Sequence, residues 1–144
     1  MAEHDEEQLR RILETSRTVA VLGAHWETER AACYVPAYLF QQGYHVLSVN
    51  PLGRGRELFG EPVHTRLDEL GEPVDLVDVF RNSDKLVEHE REIMAMRPRP
   101  KVVWFQLGIR DDALAERLRA AGIEVVQDRC TLAEHRRLGI APHV

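Results

Sequence analysis

Short apolar runs alternate with amphipathic stretches along the whole of this 144-residue chain, and that alternation leaves few folds open. Val19 to Leu22, His45 to Val49, Val74 to Phe80, Lys101 to Leu107 and Ile123 to Gln127 are apolar enough for buried strands. Helical stripes fall between them. Leu9, Ile12 and Leu13 share one face of a helix from Asp5 to Ser16, which Asp5 and Gln8 open as a capping box. Tyr34, Val35, Tyr38 and Leu39 form a second stripe, with Pro36 in its first turn and Gly43 at C′. Ser83 caps a third helix with Leu86, Val87, Ile93 and Met94 inward, stopped by Pro98 and Pro100. Asp111 opens a fourth, with Leu114 and Leu118 buried and Gly122 closing it. Thr131 and Glu134 read as the capping box of a last, short helix.

Strands separated by helices pair in parallel and need cover on both faces. The pattern predicts an α/β, Rossmann-like, doubly wound sheet with helices on both faces. A brief third strand near Glu61 to His64 and a short helix from Thr65 to Leu70 complete it, giving strand order 3-2-1-4-5-6. There is no repeat, low-complexity tract or linker, so residues 1–144 read as one domain.

Composition narrows the function classes. Net charge is −5 with acids and bases interspersed, and the basic stretches Arg91 to Lys101 and Arg129 to Arg137 are broken by acids or prolines. That argues against nucleic acid as a partner and leaves room for one small anion. No run approaches the roughly 20 apolar residues of a membrane span. The acidic opening, Met1 to Glu7, does not read as a signal peptide. The two cysteines, Cys33 and Cys130, make no secreted framework. A cytoplasmic, reduced protein is expected.

In such sheets ligands bind beyond the carboxyl ends of the strands, where strand order reverses. That edge holds Gly23 to His25, Asn50-Pro51, Phe80-Arg81, Gln106 to Gly108 and Asp128 to Cys130. Gly23 lets the backbone approach a phosphate, the amides of the next helix can donate to it, and Arg30 and Arg54 can supply charge. Each feature has a plain structural reading too: a tight turn, a strand end, a core-edge ring, a solvated cation. The NAD signature is incomplete. The second and third glycines of G-x-G-x-x-G are missing, and neutral Asn50 stands where an acidic ribose ligand belongs.

Val21-Leu-Gly-Ala24, Tyr34-Val-Pro36, Gly43-Tyr44, Val49-Asn-Pro51, Val77-Asp-Val-Phe-Arg81, Trp104-Phe-Gln106-x-Gly108-Ile109, Asp128-Arg-Cys130 and Glu134-His135 occur in that order. Together they closely resemble the YccU-like group of small bacterial and archaeal CoA-binding proteins, which look like a stand-alone CoA-binding domain of succinyl-CoA synthetase. The resemblance covers about residues 9–138. It implies that coenzyme A is the ligand. By carry-over, Gly23, Ala24 and His25 would face the pyrophosphate, and Asn50, Pro51 and Arg54 would border the adenosine and its 3′-phosphate. Val79, Phe80 and Arg81 would line the adenine side, while Gln106 and Gly108 would lie nearer the pantetheine arm. Arg30 matches the family pattern in its loop, and Tyr34 joins the ligand set. Many relatives carry Ser where this chain has His25, so the phosphate contact there differs.

Catalysis by the chain alone is not expected. The synthetase's phosphohistidine belongs to a second domain, and none of the seven histidines here sits in a recognisable phosphohistidine loop. P-loop, G-x-S-x-G and H-E-x-x-H motifs are absent. Cys130, Glu134 and His135 lack the spacing of a zinc site, so no metal is expected. Cys130 stands at a helix start, where a mixed disulfide with the CoA thiol or simple burial are both open. Asp75 reads as solvated. Asp78 shares the parity of Leu76 and Phe80 and needs a buried partner, which the sequence does not name.

The leading reading is a non-catalytic CoA- or acyl-CoA-binding carrier, sensor or regulatory module. The alternatives are an NAD(P)-binding oxidoreductase domain and the CoA-binding subunit of a larger acyl-CoA synthetase with a partner chain. Oligomeric state is left open.

Overall fold

A computed structural model describes residues 4–144; the first three residues of the acidic opening lie outside the described residues. Helix α1 (Glu6–Thr15) starts where Asp5 Oδ1 accepts the Gln8 amide at 2.7 Å, with Glu6 and Glu7 complementing the helix dipole. Only half of the capping box forms, because the Gln8 side chain donates to Glu124 instead. Strand β1 (Thr18–Leu22), helix α2 (Ala31–Gln41) and strand β2 (His45–Val49) follow. A small hairpin of β3 (Glu57–Leu58) and β4 (Glu61–Pro62) leads to β5 (Leu76–Val79), α3 (Glu90–Ala95) and β6 (Val102–Phe105). Helix α4 (Asp112–Ala120), strand β7 (Glu124–Val126) and helix α5 (Thr131–Arg137) end the chain.

The five long strands form one sheet in the order β2-β1-β5-β6-β7, with every pair parallel. The Rossmann-like α/β expectation holds. Successive side chains serve opposite faces. Ala20, Leu22, Val77, Val79 and Phe105 pack with Ile93 of α3 and with Leu114 and Leu118 of α4. Val19, Val21, Leu76 and Trp104 pack with Leu9, Ile12 and Leu13 of α1 and Leu39 of α2. The chain turns from β1 to β2 on one side, then crosses to β5 on the other. Strand order therefore reverses at the carboxyl ends of β1 and β5, and a crevice opens there.

Four local expectations change. The third strand shrinks to a single parallel bridge between Val49 and His64. Pro62 has no N–H for a ladder, and the preceding residues turn back as a hairpin whose loop residues Phe59 and Gly60 both take positive φ (56° and 78°), as a type I′ turn requires. The 310 turn Leu67–Glu69 replaces the short helix expected from Thr65 to Leu70. Between Ser83 and His89 the third helix is also 310. Its three-residue period buries Leu86 and His89 and leaves Val87 exposed, not inward. Ser83 does not cap it; the Ser83 hydroxyl accepts from the Arg110 amide.

The fourth change is at α5. Cys130 occupies the N-cap position without a side-chain cap, and Thr131 is already inside the helix. The Thr131 hydroxyl donates to Asp78, while Glu134 pairs with Arg129 and Arg137. The expected capping box is therefore absent: Thr131 stands one residue past the N-cap, and its hydroxyl oxygen accepts from Gln106 and not from a helix amide.

Candidate functional site

The loop after β1 is built by close approach. Gly23 has φ 88°, its amide donates to Val49 O at 2.8 Å, and a Cβ placed on it would lie 2.7 Å from Phe80 O. Only glycine fits between the ends of β1 and β5. Asn50 braces the same loop from β2. Its Nδ2 donates to Ala24 O at 2.8 Å and its Oδ1 accepts from Leu52 N at 2.9 Å. A carboxylate could not make the first bond. The neutral residue that weakened the NAD reading thus has a structural cause.

Helix α2 begins at Ala31, so Pro36 lies inside it and not in its first turn. Proline has no N–H to return to the carbonyl four residues back. That carbonyl, Ala32 O, instead accepts the His25 amide at 3.1 Å. The break in the helix ladder ties the loop to α2. His25 is fixed further by its own ring: Nδ1 accepts from Glu27 N at 3.1 Å. The partners assign the proton to Nε2, which is left to donate to a ligand. The ring stacks on Trp26, with centroids 4.4 Å apart, and the Arg56 guanidinium lies 3.8 Å over the Trp26 ring. This His25–Trp26–Arg56 stack was not anticipated. A loop arginine and a lone tryptophan far apart in sequence carry no spacing signal.

Two adjoining clefts open at this edge. One, of about 270 Å³, is lined by Gly23, His25, Arg30, Asn50, Phe80 and Arg81. The other, of about 450 Å³, is lined by Arg30, Tyr34, Phe80, Gln106, Leu107 and Cys130 among others. Arg30, Ala32 and Phe80 belong to both. Arg30 ion-pairs with Glu27 at 2.8 Å, which holds the Glu27 carboxyl below the usual range. At the start of α2 the Cys33 and Tyr34 amides both donate to Arg30 O, which leaves the Ala31 and Ala32 amides without an intrahelical acceptor beside the same edge.

The remaining predicted residues sit apart from these linings. Ala24 and Val79 are buried beneath the loop. Pro51 and Arg54 are exposed, and Arg54 makes no ion pair among the described residues. The Gly108 amide donates to Asp128 Oδ1 at 2.6 Å. Tyr34 is half exposed on the larger cleft, whereas Val35 and Leu39 of its expected stripe are buried. Leu107 and Ile109, which the sequence places on the rim segment but not among the ligand residues, line the apolar cleft. Cys130 is partly exposed on it, whereas Cys33 is buried and its thiol is pushed up by burial.

Asp78 finds its partners beneath the larger cleft. Gln106 Nε2 donates to Asp78 Oδ1 at 2.5 Å and to Thr131 Oγ1 at 2.9 Å, and Thr131 donates to Asp78 Oδ2 at 3.0 Å. Burial pushes the Asp78 carboxyl up to about 7, against the lowering effect of both hydrogen bonds. Asp75 is not merely solvated. Burial raises it, but the Arg17 and Thr18 amides and Lys101 outweigh that and hold it below the usual range. His135 is buried with Nδ1 against the Tyr38 hydroxyl at 2.7 Å, and burial followed by His143 pushes it down. Among the described residues no cluster of three or more His, Cys, Asp or Glu could hold a metal, and no helix is long and apolar enough to cross a membrane.

This geometry has counterparts. A solved structure from Thermus thermophilus (cell-free ID.343) is 49% identical, superposes with a TM-score of 0.89, and the match covers 94% of this chain and 99% of that one. An uncharacterized Bacillus subtilis protein, YneT, is 28% identical over 128 residues, 89% of this chain and 92% of its own. The fold also recurs in a dinucleotide-forming acetyl-coenzyme A synthetase of Ca. Korarchaeum cryptofilum, with a TM-score of 0.65 at 20% identity, across 81% of this chain and 26% of that one. Residues 17–136 match the family model described as a CoA binding domain, and the chain belongs to that family.

Proposed function

We propose that this protein binds coenzyme A or an acyl-CoA at the carboxyl edge of its sheet, as a carrier, sensor or regulatory module without catalysis of its own. The observation that carries the proposal is the pair of adjoining clefts that share Arg30 and Phe80. One is polar and suits a pyrophosphate; the other is largely apolar and suits the pantetheine arm. His25 Nε2–H, the Ala31 and Ala32 amides, Arg30 and Arg81 supply donors for the anion. Gly23 and Ala24 shape the floor, with Asn50 as its brace. Pro51 and the exposed cation of Arg54 border the adenosine and its 3′-phosphate, with Val79 and Phe80 beneath the adenine. Gln106, Gly108 and Tyr34 flank the arm. Membership of the CoA binding domain family supports the ligand class.

A ligase needs nucleotide and acid sites, and neither cleft offers a nucleophile–base pair or a P-loop. A second reading, a CoA-binding unit working with a separate acyl-CoA synthetase chain, draws support from the fold shared with the Korarchaeum synthetase. The deciding experiment is calorimetry of the purified protein against CoA, acetyl-CoA, 3′-dephospho-CoA, NAD and NADP. Micromolar binding of the CoA forms is expected, with a weaker 3′-dephospho form. Binding of NAD with no heat from CoA would sink the reading in favour of an oxidoreductase domain.

A further inference from the structure

Arg81 projects from the end of β5 over the phosphate loop; its Cδ lies 3.2 Å from the place of a Gly23 Cβ. An arginine on a loop has many rotamers, so one in a defined place needs a partner that holds it. Here the partner is not a carboxylate. Arg81 Nε donates to His89 Nε2 at 3.2 Å. His89 Nδ1 in turn contacts Glu92 Oε1, and Glu92 Oε2 accepts the Leu67 amide at 2.8 Å. His89 and Glu92 are 7% and 5% exposed, so this chain of bonds is buried behind the crevice. Because Arg81 only donates, His89 Nε2 must present its lone pair, and the ring proton must sit on Nδ1, facing Glu92. Glu92 therefore sets the tautomer, the tautomer sets Arg81, and the outer nitrogens of the guanidinium stay available to an anion.

We propose that His89 and Glu92 are positioning residues that hold Arg81 for the anionic ligand of the crevice, acting through the Nδ1–H tautomer of His89. The inference rests on the CoA reading for the identity of that ligand. It gives a joint role to two buried polar side chains of the 310–α3 segment, His89 and Glu92, which link the buried Leu67 amide to Arg81 at the rim.

The substitution Glu92→Gln tests the tautomer. A glutamine that keeps the Leu67 bond through Oε1 turns its NH₂ toward His89. The ring must then accept at Nδ1 and carry its proton on Nε2, so two donors face each other and Arg81 is released. In calorimetric titrations with CoA, Arg81→Ala should weaken binding about tenfold or more, as loss of a charged hydrogen-bond donor does. His89→Phe and Glu92→Gln should each weaken it roughly three- to tenfold. In an Arg81→Ala background both should change Kd by less than about twofold, since the bond they support is already gone. His89→Gln, whose Oε1 can accept from Arg81, should recover most of the loss. Nitrogen-15 spectra should place the His89 proton on Nδ1 in the unsubstituted protein and on Nε2 in Glu92→Gln. Unchanged affinity in folded Glu92→Gln, or equal losses with and without Arg81, overturns the proposal while leaving CoA binding intact. If the unsubstituted protein does not bind CoA, the CoA reading falls and this one with it. Should His89→Phe fail to fold, Glu92→Gln alone carries the decision.

Discussion

Two polar clusters sit at the same edge of the sheet and spend their hydrogen bonds in opposite ways. Under the apolar cleft, Asp78, Gln106 and Thr131 bond to one another and are at most 4% exposed. The amide N–H groups of Gln106 and the hydroxyl of Thr131 are spent inside the cluster. Around the phosphate loop, Asn50 braces the backbone, while the side chains of His25 and Arg81 are each hydrogen-bonded at one nitrogen only, to Glu27 N and to His89, so that both keep donors facing the crevice. A closed cluster rigidifies the wall, and a half-satisfied one makes a binding surface. The same residue types serve both ends. What separates them is whether the last donor meets protein or solvent.

The largest effect should come from the hinge between the two clusters. Gly23→Ala combines a left-handed φ of 88° with a Cβ 2.7 Å from Phe80 O, a backbone atom that cannot swing aside. A loss of about 2–3 kcal/mol in stability is expected, together with the heat of CoA binding, because β1 and β5 must part. Chemical denaturation and calorimetry on the same preparation read both. A variant as stable as the parent would show that the approach of the two strands is loose, and the distinction between wall and rim would lose its hinge.

The closed cluster is tested through pH. A carboxyl at about 7 in the folded protein, against roughly 4 when unfolded, holds its proton in the native state over a range where the unfolded chain has lost it. The unfolded state then binds fewer protons, so stability falls as pH rises through that window and levels off above the folded value. Asp78→Asn keeps the shape and removes the titration. The expected outcome is a stability that no longer declines between about pH 4 and 7, with a gain of a few kcal/mol at pH 8 relative to the parent. Parallel pH slopes for the two proteins would mean that Asp78 stays ionised and that the cluster is held as an anion by Gln106 and Thr131.

The same division decides what the sequence could reveal. Sheet, helices and strand order follow from apolar parity and helical stripes, which packing obeys almost everywhere. The exceptions lie where backbone hydrogen bonding departs from the regular period. Val87 points outward because its segment is 310, and the third strand is one bridge because Pro62 interrupts it. Gly23, His25, Asn50, Phe80 and Arg81 were legible as rim residues because each lies at or just past a strand end, and Arg30 as the cation of the loop before α2. Their roles were not. Asn50 looked like a ligand position and spends both ends of its amide on backbone; Gln106 looked like an arm contact and bonds Asp78 and Thr131. Long-range partners such as Arg56 on Trp26, or His89 behind Arg81, have no local signature.

The smallest effect, and the sharpest for the open cluster, concerns Pro36. Its missing N–H leaves Ala32 O free for the His25 amide. Pro36→Ala restores a helix donor aimed at that same carbonyl, which tilts back toward the helix axis to meet it. Stability should change little, since the regained helix bond is offset by the greater freedom of the unfolded chain. The loop should loosen instead. Hydrogen exchange at the His25 amide is expected to speed up, with a CoA affinity reduced roughly two- to threefold. A carbonyl has two lone pairs, so the alternative outcome is defined as well: if it accepts both amides, exchange at His25 stays slow. In that case the gap in the helix ladder is tolerated and not used, and the rim owes its order to Asn50 and Gly23 alone.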